Sequence, residues 1–209
     1  MPETESLLIF LGATLALNVT PGPDMLYVIA RSTAEGTRAG VVSAFGIAAG
    51  TLVHLAAVAL GLAALLEAVP LAYEVVRYAG AAFLIYLGVR ALLSREAPTA
   101  GPVVARDSLG RIFRQGVVTN VLNPKVALFF AAFLPQFASP EHGSVLLQLV
   151  VLGLMFDLSG TTVNLLVAWG AGSAGDRVRT RLGPATAWRR FTGLVFIGLG
   201  LRLALQRRG

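Results

Sequence analysis

Cysteine is absent from this chain of 209 residues, and lysine occurs once, at position 125. Without cysteine the protein has no disulfide framework, no cysteine-ligated zinc site and no thiol nucleophile. Charged residues are also scarce, since they make up 13% of the sequence, against about 25% in ordinary soluble domains. A soluble domain of this length needs far more polar surface. The composition therefore excludes that class and indicates an integral membrane protein.

Apolar residues are abundant and make up 56% of the sequence. They form six runs, near residues 6–30, 40–66, 71–93, 112–138, 145–170 and 187–206. Each run is long enough for a transmembrane helix, which needs roughly 20 apolar residues. The first run is not expected to be a cleaved signal peptide, because Glu3 and Glu5 precede it in place of basic residues. The sequence predicts an all-α polytopic membrane protein with six transmembrane helices.

The formal net charge of +6 is distributed as a topology signal. Of the 17 basic residues, twelve lie beside the first, third and fifth loops and four beside the opposite face, while Lys125 lies inside a run. The positive-inside rule makes the first face cytoplasmic and puts both termini outside. The excess charge therefore needs no nucleic-acid partner. Arg207 and Arg208 fit this arrangement less well, and a five-helix alternative would move the carboxyl end to the cytoplasm.

The chain also repeats itself. The segment Gly50-Thr-Leu-Val-His54 in the second run resembles Gly160-Thr-Thr-Val-Asn164 in the fifth. Three helices per repeat is an odd number, so the second repeat must be inverted, which is typical of alternating-access transporters. We expect a single transmembrane domain with repeat one at about 6–93, a cytoplasmic linker at about 94–110 and repeat two at about 112–206.

Polar, proline-containing motifs interrupt the first and fourth runs at corresponding points. One is Asn18-Val-Thr-Pro-Gly-Pro-Asp24 and the other is Asn120-Val-Leu-Asn-Pro-Lys125. Proline suits the first position of a helix, and asparagine, threonine or glycine suits the N-cap before it. The predicted helix starts are therefore Asn123-Pro124 in the second motif and either Gly22-Pro23 or Thr20-Pro21 in the first. Each run should therefore consist of two half-helices. A helix start inside the membrane has free N–H groups that bind anions such as carboxylates, and matching breaks indicate a transporter's midplane binding site.

Four ionisable residues lie deep in these runs, namely Asp24, His54, Lys125 and Asp157. A charge at this depth costs at least about 2.5–3.5 kcal/mol. Asp24 and Lys125 each follow a critical proline and are candidates for binding substrate, although they could also form a permanent structural ion pair. Asp157 and His54 are candidates for proton coupling. The alternatives are a hydrogen bond to a neighbouring helix for Asp157 and simple packing of a neutral imidazole for His54.

The sequence resembles the lysine exporter (LysE/RhtB) family of bacterial amino-acid efflux proteins. The resemblance rests on the two proline motifs, the second of which extends back to Gln115, and on Tyr78-Ala-Gly and Tyr86-Leu-Gly. The likeness extends from Leu7 to about Leu205. It implies an exporter in the bacterial inner membrane that is driven by an ion gradient and is a homodimer. The family's motif positions correspond to Thr20-Pro-Gly-Pro23 and Asn123-Pro-Lys125.

These arguments predict export of an amino acid or close derivative from a site between the two broken helices. Lys125 and the half-helix N-termini would bind the substrate carboxylate, and Asp24 its ammonium, with a proton as the coupling ion. The predicted substrate-binding residues are Asn18, Thr20, Pro21, Gly22, Pro23, Asp24, Asn120, Asn123, Pro124 and Lys125. No cofactor and no metal site is expected. A cation or metal exporter of the same superfamily, and an intramembrane enzyme or scaffold, remain alternatives.

Overall fold

The computed structural model describes residues 4–62 and 107–174, together with scattered helical positions between 78 and 93 and between 194 and 205. Within these residues every element is helical. Helix α1 spans Thr4–Val19, α2 Pro23–Glu35, α3 Thr37–Ala57, α4 Leu109–Val121, α5 Pro124–Leu128 and α6 Val145–Ala174. A π turn at Val58–Leu62 continues α3. A second π turn at Phe129–Phe133 continues α5 into a 3-10 turn at Leu134–Phe137, and another 3-10 turn follows at Pro140–His142.

The described helices account for up to four membrane spans. Thr37–Gly61 and Val145–Ser173 are each long and apolar enough to cross a membrane, and two bent helix pairs qualify when each pair is counted as one span. The predicted all-helical membrane fold is confirmed for this part of the chain. The predicted third and sixth helices, at 71–93 and 187–206, lie largely outside the described residues. The six-helix arrangement and its two inverted repeats therefore remain predictions.

Both predicted helix breaks are present. Helices α1 and α2 meet at a bend of 46°, and α4 and the helical segment Pro124–Phe137 meet at a bend of 48°. Gly22 is the N-cap of α2 and Asn123 is the N-cap of α5, with proline directly after each. Proline lacks an N–H and its ring clashes with the carbonyl four residues earlier, so it ends a helix and is tolerated at the start of the next. The predicted caps are confirmed.

The two broken helices run in opposite directions. Helix α2 ends beside the start of α4, where the backbone N–H of Asp107 donates to Glu35 Oε2 at 3.0 Å. We call this the linker end, because α4 follows the linker. At the opposite end, which we call the far end, Phe10 near the start of the first broken helix packs edge-on against Phe137 near the end of the second, with ring centroids 5.3 Å apart.

A large apolar core fills the far half of the protein. Phe129 and Phe156 lie with ring centroids 4.8 Å apart, and Phe130 meets Phe156 edge-on at 5.1 Å. Aromatic pairs in these geometries add to the stability gained from burial alone. The buried members of the core include Phe10, Leu17, Leu55, Val58, Phe129, Phe130, Phe133, Leu149, Leu152 and Phe156.

Helix α3 lies close against α4 because both carry glycine at the crossing. A Cβ added to Gly116 would lie 2.9 Å from the carbonyl oxygen of Ser43, and one added to Gly50 would lie 2.7 Å from the Cβ of Asn120. Real side chains do not approach so closely, so any larger residue would push the helices apart. Small residues at helix crossings are typical of membrane proteins. Here the close approach brings α3 alongside Asn120, just before the second helix break.

Candidate functional site

A small cavity lies between the two helix breaks. It offers about 30 Å³ for the centres of water molecules, which is room for one or two waters. Six of the predicted site and coupling residues line it, namely Asn18, Thr20, Asp24, Asn120, Lys125 and Asp157. The remaining break residues, Pro21, Gly22, Pro23, Asn123 and Pro124, form the interruptions beside it.

Eight further residues line the cavity and were not predicted. Met25 and Val126 directly follow the two charged motif residues, and the others come from α3 and α6: Ile47, Thr51, Phe156, Gly160, Thr161 and Asn164. Four cavity residues of α6, Asp157, Gly160, Thr161 and Asn164, recur at intervals of three and four positions. That spacing places them on one face of a helix. This polar stripe on an otherwise apolar run was a signal in the sequence, and it identifies α6 as a wall of the cavity.

Lys125 joins the two breaks. Its Nζ donates to the carbonyl oxygens of Leu17 at 3.2 Å and Thr20 at 3.0 Å, where the carbonyls at the end of α1 have lost their helical partners. Its own backbone N–H donates to Asn123 Oδ1 at 3.0 Å. The ammonium has three protons, so one remains for another acceptor.

Gly22 makes room for the lysine. A Cβ added at this position would lie 3.1 Å from Lys125 Nζ and 3.3 Å from its Cε, which is tighter than nearly all real Cβ contacts. The glycine of the Thr-Pro-Gly-Pro motif is therefore needed for close approach of the lysine side chain to the first break. This glycine is also the N-cap of α2, so one residue serves both the break and the site.

Asp24 and Asn120 form the second polar contact across the cavity. Asn120 Nδ2 donates to Asp24 Oδ2 at 2.9 Å, and both side chains are buried. The other oxygens, Asp24 Oδ1 and Asn120 Oδ1, are buried without a hydrogen bond of good geometry, as is Asn123 Nδ2, although the Asn123 side chain lies close enough to interact with the Asp24 carboxyl. Unsatisfied buried polar groups are rare and each calls for an explanation. Two of these three are acceptors on side chains that line the same cavity.

Asp24 and Lys125 attract each other across the cavity. Their side chains do not form a salt bridge with each other in the described part of the chain, unlike those of Arg31 and Arg111 with their acidic partners. Lys125 instead bonds to backbone carbonyls and Asp24 to an amide. The geometry of a buried ion pair, which was one interpretation of the two charges, is not what this structure has.

The other predicted residues have defined contacts. Asn18 Nδ2 donates to Ser159 Oγ at 3.0 Å and to the carbonyl of Phe156 at 3.3 Å, which ties the first break to α6. Thr20 Oγ1 donates to the carbonyl of Ala16. The imidazole Nε2 of His54 lies 3.1 Å from the carbonyl oxygen of Asn120, so His54 reaches the second break without lining the cavity.

Asp157 faces the cavity from α6, and its carboxyl interacts with Thr51 on α3. The side chain is partly buried. Among the described residues, no group of three or more His, Cys, Asp and Glu side chains is arranged to hold a metal ion.

Comparison with known proteins identifies a family of transporters. Residues 15–207 match the family described as LysE type translocator. The chain is 30% identical over 201 residues to a protein of Salmonella typhimurium named homoserine/homoserine lactone efflux protein, covering 95% of each chain. It is 29% identical to the protein of the same name from Salmonella typhi, again over 95% of each. It is 33% identical over 191 residues to an uncharacterized membrane protein of Pseudomonas aeruginosa, covering 88% of each.

No solved structure gives a significant match to this chain. The family match covers most of the sequence and includes both proline motifs. The chain therefore belongs to the LysE type translocator family, and it is a membrane transporter rather than an enzyme.

Proposed function

We propose that this protein exports an amino acid or close derivative, such as homoserine or its lactone, by alternating access around the cavity between the two helix breaks. The observation that supports this best is the pair of unsatisfied acceptors, Asp24 Oδ1 and Asn120 Oδ1. A substrate ammonium is a charged donor with three protons. It would satisfy both oxygens and neutralise the buried carboxylate, which otherwise lacks a direct charged partner among the described side chains.

The carboxylate end of the substrate would meet Lys125. Its ammonium has one proton left after bonding to Leu17 and Thr20, and the N-termini of α2 and α5 add partial positive charge. A homoserine carboxylate or a lactone carbonyl oxygen could each accept that proton. Since relatives are named for a lactone, which has no free carboxylate, we propose that the ammonium is required and the carboxylate only strengthens binding.

The cavity is too small for such a substrate in this conformation. Room for one or two waters is several times less than an amino acid occupies. We infer that the structure is closed around the site and that loading requires helices to separate, as alternating access demands.

The remaining parts of the proposal concern coupling and orientation. Asp157 is the candidate for the coupling proton, because it is a carboxyl that faces the cavity, with His54 as the second candidate. We propose that the protein lies in the bacterial inner membrane with both termini outside, because the positive charges flank the odd loops. Two inverted three-helix repeats and a homodimer complete the proposal.

The test is release from proteoliposomes under a proton gradient. Vesicles loaded with L-homoserine, homoserine lactone or N-acetylhomoserine should release the first two and retain the third, whose ammonium is blocked. Asp24→Asn should abolish release, whereas Glu141→Gln, an exposed change at the far end and away from the cavity, should leave it unchanged. Rapid release of N-acetylhomoserine would contradict the ammonium assignment. Movement of a metal ion without any amino acid would favour the cation-exporter alternative.

A further inference from the structure

A second polar cluster lies at the linker end, outside the cavity. It joins Tyr27, Arg31 and Glu35 of α2 to Asp107 and to Arg111 and Gln115 of α4. Arg31 follows Asp24 by seven positions on the same helix, which corresponds to about 10 Å along its axis. The cluster therefore lies about two turns from the cavity, between it and the linker-side surface.

The cluster holds α2, the second half of the first broken helix, against the start of α4, the first half of the second broken helix. Arg31 bonds to Glu35 and, at 2.7 Å, to Asp107. The Tyr27 hydroxyl donates to the carbonyl of Ile112 at 2.8 Å. The backbone N–H of Asp107 donates in turn to Glu35 Oε2 at 3.0 Å. The Arg31–Glu35 bond lies within α2, whereas the others join residues that are 72 to 85 positions apart. They hold α2 against α4 and the residues just before it.

Among the six described members, the two positive charges of Arg31 and Arg111 equal in number the two negative charges of Glu35 and Asp107. Burial is graded: the Arg31 side chain is 4% exposed, Asp107 is 13% exposed and Arg111 is 63% exposed. Hydrogen bonds from Arg111 and Arg31 hold the pKa of Asp107 below its ordinary value. A neutral cluster with one hydrated member can exchange its internal bonds for bonds to water when the helices separate.

The far end is closed differently, by the aromatic core. Separating that core exposes apolar surface to water, whereas separating the linker-end cluster exposes groups that water solvates well. Small residues complete the linker-end closure, since Gly172 lies against Thr37 and Gly40 against Ser32.

We propose that Tyr27, Arg31, Glu35, Asp107, Arg111 and Gln115 form the linker-side gate of the transporter. In this structure the gate is closed, and α2 must move away from α4 to admit solutes from the side that bears the linker. The inference rests on the proposed function in one respect, namely that solutes use the cavity. It adds the side from which solutes enter the cavity and the residues that keep that side closed.

The test uses the absence of natural cysteine. A single Thr161→Cys places a thiol in the cavity wall, on α6, which holds none of the six gate residues. Sealed vesicles are treated with a membrane-impermeant thiol reagent on the linker side, and Ala105→Cys in the linker reports which side that is. Asp107→Asn and Tyr27→Phe should each raise the labelling rate of the Thr161→Cys thiol about tenfold or more. Glu141→Gln, which removes an exposed charge at the far end, should change it less than twofold.

Tyr27→Phe removes only a hydroxyl, so it keeps the test decisive if Asp107→Asn proves unstable. Equal labelling in the parent and in Tyr27→Phe, with both proteins monodisperse in detergent, would overturn the gate. Slow labelling in the parent with rapid labelling in the variants would support it. The assay contains no substrate, so its outcome is independent of whether homoserine is exported.

Discussion

Exchanging Lys125 for methionine removes the donor that holds the carbonyls of Leu17 and Thr20. Hydrogen bonds within membrane proteins contribute on average about 0.6 kcal/mol each, and about 1.7 kcal/mol at most. Losing two of them should lower the free energy of unfolding by about 1–3 kcal/mol. Asp24→Asn should cost less, because asparagine keeps an oxygen that can accept from Asn120 Nδ2.

The double variant separates a structural ion pair from a binding site. Because Asp24 and Lys125 bond to different partners and interact only through their charges across the cavity, their coupling energy should lie at the low end of the range for neighbouring residues, about 0.5–1 kcal/mol. Unfolding in detergent, followed by tryptophan fluorescence, measures all four proteins, and homoserine release measures transport. The single and double variants should all be inactive. A coupling energy above about 2 kcal/mol, with stability regained in the double variant, would refute the reasoning. Full export by the double variant would refute the site.

Further predictions follow from the same contacts. Gly22→Ala should crowd the lysine ammonium, because the new Cβ would lie 3.1 Å from it. Homoserine release should fall about tenfold at equal protein level. Gly12→Ala, with open space around it, is the matched control and should leave release unchanged. The stability that Asp107 contributes should be fully present above pH 3.8, its ordinary pKa, and be lost only as the pH falls through the lower folded-state value. The melting-temperature difference from Asp107→Asn should therefore be constant from neutral pH down to about 4 and vanish below it; a difference that disappears near neutrality would contradict this. Asp157→Asn should release homoserine equally with and without a proton gradient, and continued acceleration by the gradient would exclude Asp157 as the coupling group. A reporter active only outside the cytoplasm should be active when fused to Gly209 and silent when fused to the linker, and the opposite pattern would overturn the six-helix topology.

The helix breaks could be predicted because their causes are local. Proline without an N–H and an N-cap of glycine or asparagine act on their own backbone, so Gly22-Pro23 and Asn123-Pro124 specify where a helix restarts whatever surrounds them. The predicted caps are present at both positions. The position of the candidate site was predicted from these breaks, because a helix break inside a membrane must face protein or a wet cavity.

The partners of the charged residues could not be predicted in the same way. Asp24 and Lys125 occupy corresponding positions, which suggested mutual pairing, yet the lysine bonds to carbonyls. Every residue has a carbonyl, so the sequence has no mark of which ones a lysine will bind.

The linker-end cluster was missed for a different reason. Arg31 and Arg111 already had an interpretation, as charges that set the topology. Their acidic partner Asp107 is 76 positions from Arg31, and no periodicity connects residues so far apart. Of the features that were missed, the cavity stripe of α6 did have a local signal in the sequence, because its members lie within two turns of one helix.

The two π turns, Val58–Leu62 and Phe129–Phe133, both lie in the far half of the protein. A π turn contains one residue more than an α turn, so each of these helices has one extra residue at that point. If the turn at Phe129–Phe133 tightened to α geometry, everything beyond it would rotate by about 100°. Phe133 and Leu134, both buried here, would then turn out of the core while Lys125, before the turn, stayed in place. We propose that the far side opens by such a change of helical register, a screw-like motion that also repacks Phe156 in the cavity wall.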